Sequence, residues 1–94
     1  MQTTYLYPYR ELLAEVICDL DCSRKHSFAN RRICDLLEKK VLDRWDVRVE
    51  IDPRTLAKQL DEWDIPRAGS RGNTVHFWID RYTQSWLRSE FLDK

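Results

Sequence analysis

"DPRTLAKQLDEWDIPRAGSRGNTVHFWI", Asp52 to Ile79, carries three structural signals in succession. Asp52 ahead of Pro53 is a helix start: a short oxygen-bearing side chain that caps free N–H groups, then a ring whose φ is preset for the first turn. Leu56, Ala57, Leu60 and Trp63 follow at three- and four-residue spacing, which predicts a helix over 53–63 with one apolar face. Pro66 stops it. "RAGSRGN" then holds both glycines of the chain, and Val75, Phe77 and Ile79 alternate with Thr74, His76 and Trp78 in the period of a half-buried strand. The stretch reads as a helix, a basic glycine-bearing loop at about 66–74, and a strand.

Working outward, Tyr9, Leu12, Leu13, Val16, Ile17 and Leu20 form a helical stripe that predicts a first helix over 8–21. After the polar break "DCSRKHS", Ser27 is the expected N-cap of a second helix over 27–43, whose apolar face is Phe28, Ile33, Leu36, Leu37, Val41 and Leu42. "WDVRVEI" alternates Trp45, Val47, Val49 and Ile51 against Asp46, Arg48 and Glu50, the pattern of a short strand. Asp80 is placed to cap a last helix over 81–91 with Tyr82, Trp86, Leu87 and Phe91 inward. The expected class is α+β: a core of three to four helices with a short β-hairpin. That core is expected to contain Leu13, Val16, Ile17, Leu20, Ile33, Leu37, Leu56, Leu60, Phe77 and Trp86.

Ninety-four residues, 43% of them apolar, suit one domain with a modest core and leave little room for a deep substrate pocket. Sixteen basic and sixteen acidic side chains cancel, so only the distribution of charge bears on partners. No apolar run approaches a membrane span and the first nine residues lack the pattern of a signal peptide; with three cysteines, an odd number, the expectation is a soluble intracellular protein.

Two windows are free of carboxylates. Residues 66–79 carry Arg67 and Arg71, with Asn73 in the same loop, and residues 23–34 carry Arg24, Lys25, Arg31 and Arg32. Such cations suit phosphate, because neutralising a polyanion releases its counterions, and glycine lets backbone amides approach phosphate oxygens. On the polar side of the 53–63 helix, Arg54, Thr55, Lys58 and Gln59 have the chemistry to meet phosphates or base edges. Asp61, Glu62 and Asp64 would repel a backbone, so that end of the helix is expected to point away.

This half of the chain resembles the recognition helix and wing of a winged helix-turn-helix domain, in particular the small winged-helix domains of replication proteins such as viral and plasmid primase-helicases. In this chain "LDRWDVRVEI" separates the second helix from the third. The resemblance implies duplex DNA as partner, with the helix in the major groove and the basic loop beside it, and a larger replication or regulatory protein as a further partner. The plainer reading of the same residues is a solvated helix and an ordinary hairpin.

Other chemistry is thinly represented. Cys18, Cys22, His26 and Cys34 form a conceivable zinc set, but their spacing matches no finger, and cysteines on apolar helix faces pack as small hydrophobes, so no metal or cofactor is expected. "AGSRGN" is not a phosphate-binding P-loop, and no nucleophile with its base is recognisable, so an enzyme is not expected. Trp45, Trp63 and Trp86 fall on faces assigned to the core. Trp78 falls on the other side of its strand, and this supports the competing function, a protein-interaction or inhibitor module anchored by exposed aromatics.

Overall fold

The computed structural model describes residues 2–3, 6–72 and 74–93, with the side chains of Gln2, Thr3, Tyr7, Ser70 and Arg71 left aside. In chain order it comprises β1 (Gln2–Thr3), a 3-10 turn (Tyr7–Tyr9), α1 (Arg10–Cys18), β2 (Ser27–Ala29), α2 (Asn30–Trp45), β3 (Glu50–Ile51), α3 (Pro53–Glu62), β4 (Arg67–Arg71), β5 (Thr74–Trp78) and α4 (Arg81–Leu87), which runs on into a π-helical turn (Arg88–Leu92). The fold is α+β: helices packed on a three-stranded antiparallel sheet in the order β2-β5-β4, with a separate parallel pairing of β1 and β3. Among the described residues no helix is long and apolar enough to cross a membrane.

α1 is shorter than its periodicity predicts. Its last carbonyls are taken by another element: Gln84 Nε2 on α4 donates to the carbonyl oxygens of Ile17 and Leu20, both at 2.9 Å, and more distantly to Cys18. With those acceptors satisfied from outside, the chain leaves the helix after Cys18 instead of carrying it to Asp21.

α2 also begins later than expected. Ser27 is no N-cap, because Ser27–Ala29 pairs with β5 in the register Ser27↔Trp78, Phe28↔Phe77 and Ala29↔His76, and Ala29 caps the helix without a side-chain bond. Ile33, Cys34, Leu37 and Val41 form its buried stripe. The helix extends through Trp45 and stops where Asp46 adopts a left-handed conformation (φ 56°) and its N–H bonds to the Leu42 carbonyl. The expected strand over 45–51 therefore contracts to Glu50–Ile51. Val47 is exposed, and only Ile51 of that alternation is fully buried.

α3 follows the sequence signals closely. Asp52 Oδ1 accepts the Arg54 N–H at 3.0 Å, Pro53 opens the first turn, and Leu56, Ala57 and Leu60 are buried. Asp64 then turns the chain with φ 58°, and Ile65 drops into the core. The basic stretch expected as a loop is largely a strand: β4 pairs with β5 through Arg71↔Thr74, Ser70↔Val75 and Gly69↔His76, with an irregularity between Arg67 and Gly69. Gly72, at φ 59°, supplies the left-handed residue that the hairpin turn requires.

Eight of the ten expected core residues are buried, while Leu20 is half-buried at the margin of the core and Trp86 is 43% exposed. Tyr82, also expected inside, is 88% exposed. Gln84 explains both: with its amide bound to the end of α1, the inward face of α4 is Gln84 and Leu87, which turns residues 82 and 86 outward. Trp45 is likewise exposed at the surface, against the Tyr9 ring, while Trp63 is half-buried against Phe91.

Candidate nucleic-acid interface

A groove of about 700 Å³ opens where the N-terminal turns of α2 and α3 meet the β4–β5 hairpin. The side chain of Asn30, only 3% exposed, ties the two helices together there: its Nδ2 donates to the Pro53 carbonyl at 3.2 Å, while its buried Oδ1 has no hydrogen-bond partner among the described residues. This tie brings Arg31, the second residue of α2, to the same mouth as Arg54, the second residue of α3. Lys58 lies one turn beyond Arg54, and Arg67 enters from β4. Four cations from three elements thus line one groove, together with the carboxylate of Asp52, which caps α3. The first N–H groups of α2 have no side-chain cap, so its positive end adds to the field there.

The four cations are not equivalent. Arg67 Nη2 and Nε bind Asp61 Oδ2 and Oδ1 at 2.6 and 3.2 Å, and the Arg67 guanidinium lies 5.6 Å from the Phe77 ring centre. The hydrogen bonds from Arg67 hold the Asp61 carboxyl below its ordinary range, and the same bonds hold the guanidinium more firmly protonated. Among the described residues Arg31, Arg54 and Lys58 make no ion pair. Asp61 does not line the groove, but it is bonded to Arg67, a residue that does.

The other sequence-derived candidates are divided. Thr55 and Gln59 are half-buried on the neighbouring face of α3 and do not line the groove. Of the four cations of the 23–34 window only Arg31 reaches it. Lys25 lies over the Phe28 ring at 5.6 Å and, with Arg32, lines a separate depression that also holds Asp19 and Asp21, while Arg24 is exposed in the turn before β2. The two basic windows therefore meet at this groove through Arg31 and Arg67 alone among their described cations. Arg71 is in β4 but its side chain lies outside what is described, as does Asn73 altogether.

Trp78 is 42% exposed, yet held on two sides: its ring lies 5.0 Å from that of His26, and its Nε1 donates to Asp80 Oδ2 at 3.3 Å. The cysteines do not assemble with His26. Cys22 and Cys34 belong to the core, burial pushes the Cys34 thiol up to about 12, and Cys18 Sγ donates to the Gln84 carbonyl. Among the described residues no group of three or more His, Cys, Asp or Glu is arranged to hold a metal ion.

The sequence reading missed Asn30, Gln84 and the Asp61–Arg67 pair. None leaves a periodic signal, since each acts through a partner that only the tertiary fold supplies. The fold and groove define a small α+β chain with a cationic cleft beside a helix–hairpin unit. Compared with family models, curated proteins and solved structures, the chain matches none of them.

Proposed function

We propose that the chain binds nucleic acid, duplex DNA in particular, with the groove cations on phosphates and the first turns of α3 toward base edges. The observation that carries this reading is the convergence of Arg31, Arg54, Lys58 and Arg67 from α2, α3 and β4 in a chain of zero net charge. Cations gathered this way serve a polyanion, because each phosphate neutralised releases condensed counterions. The order of three helices followed by a hairpin supports it too, being what the winged-helix resemblance implies. On that resemblance the chain works as the DNA-contacting part of a replication or regulatory assembly. The test is binding of the purified chain to labelled duplex, single strand and RNA at two salt concentrations, with tightest binding to duplex and weakening as salt rises.

A second reading rests on a different surface. Tyr82 and Trp86, one turn apart on α4, are exposed, as is Trp78 at the end of β5, and exposed aromatics of this kind anchor protein partners. A complex formed through them would change little with salt and would be abolished by Trp78→Ala or Trp86→Ala but not by Lys58→Ala.

A further inference from the structure

Asp61, in the last turn of α3, and Arg67, the first residue of β4, are joined by a short turn through Pro66, with the two side chains 42% and 50% exposed. Both carboxylate oxygens sit on one edge of the guanidinium, Oδ2 on Nη2 at 2.6 Å and Oδ1 on Nε at 3.2 Å. Two oxygens on two N–H groups is also the way a phosphate meets arginine. The carboxylate therefore occupies one fork of an arginine that lines the groove from β4, and it balances the charge of one of the four cations there. Glu62 and Asp64, the neighbouring exposed acids, make no ion pair among the described residues.

We infer that Asp61 is an affinity-setting residue, an internal stand-in for phosphate on Arg67 that keeps this arginine out of phosphate binding until it is displaced. The inference takes its ligand class, phosphate polyanions, from the function proposed above. A phosphate must displace the carboxylate before it can use this fork, so the unmodified groove acts through Arg31, Arg54 and Lys58, with Arg67 withheld. Removing the carboxylate turns Arg67 into a fourth working cation. Removing Arg67 alone leaves the Asp61 carboxylate uncompensated and weakens binding modestly.

The experiment compares Asp61→Asn with Glu62→Gln, each in the parent and in an Arg67→Ala background. One readout is the affinity for a short DNA duplex over a range of salt. The other is titration with inorganic pyrophosphate, followed through the Arg67 Nε–Hε resonance by NMR where Arg67 is present. Asp61→Asn is expected to tighten duplex binding about three- to tenfold at low salt and to steepen the salt dependence by about one phosphate contact. Glu62→Gln, which removes an acid of the same charge with no such partner, is expected to stay within about twofold. In the Arg67→Ala background the extra gain from Asp61→Asn disappears. In the pyrophosphate titration the Arg67 signal responds at lower concentration in Asp61→Asn than in the parent. Asp61→Ser, which removes the charge with a different side chain, gives the same gain.

Equal effects of Asp61→Asn and Glu62→Gln, or a gain that survives Arg67→Ala, would overturn the inference. So would an unchanged pyrophosphate response. Absence of duplex binding by parent and variant alike, with the pyrophosphate difference intact, would instead remove the DNA reading and leave the role of Asp61 standing.

Discussion

Asn30 Nδ2 reaches across from the first turn of α2 to the carbonyl of Pro53 in the first turn of α3, at 3.2 Å, and this single contact sets the two helix starts side by side at the cationic groove. Asn30→Ala removes the donor and leaves the Pro53 carbonyl without it, which should cost about 1 to 3 kcal/mol in chemical denaturation. Because it holds Arg31 and Arg54 at one mouth, the same variant should bind duplex more weakly even where it is fully folded. Binding equal to the parent would show that the groove does not depend on the tie.

Leu60 tests the core. It is fully buried on α3, and Leu60→Ala should cost about 2 to 5 kcal/mol in equilibrium unfolding. A loss within ~0.5 kcal/mol would mean that the face assigned to α3 is wrong.

Gln84 and Tyr82 test the orientation of α4. Gln84→Met keeps the length of the side chain but removes the amide donor from the Ile17 and Leu20 carbonyls, an expected cost of about 1 to 3 kcal/mol. Tyr82→Ser, two positions away on the exposed side, should stay within about 0.5 kcal/mol of the parent. The reverse ranking would place Tyr82 inside and rotate the helix.

These residues also mark how far the sequence could be read. Asp52 and Pro53 act on the very next turn, so the start of α3 is visible in the order of residues alone. The stripe 82, 86, 87 and 91 is compatible with two faces about 100° apart, and the choice between them is made by Gln84 binding carbonyls 64 to 67 residues earlier. Residues 67–71 carry no β-branched or aromatic side chain and read as loop. They become a strand because β5 offers them a ladder. Arg54, Lys58 and Arg31 could be nominated as cations from composition, but the sequence contained no sign that Arg67 would meet Asp61.

Asp80 gives a dependence on pH. The Thr83 backbone N–H, with smaller help from the Thr83 hydroxyl and the Trp78 indole, holds the Asp80 carboxyl below its ordinary range. A carboxyl depressed in the folded state adds stability above its unfolded pKa, near ~4, and loses that contribution as pH falls through the folded value. Asp80→Ala should therefore cost about 0.5 to 2 kcal/mol at neutral pH, and the gap to the parent should narrow below about pH 4. A gap that stays constant with pH would mean that the ionised cap contributes nothing.

The most direct measurement of the proposed function is the salt dependence of duplex binding for the parent and for Lys58→Ala. With Arg31, Arg54 and Lys58 as the free cations of the groove, log K should fall against log salt with a slope of about −3, and Lys58→Ala should bring it to about −2. A parent slope near zero, or a Lys58→Ala slope equal to that of the parent, would contradict phosphate binding at this groove.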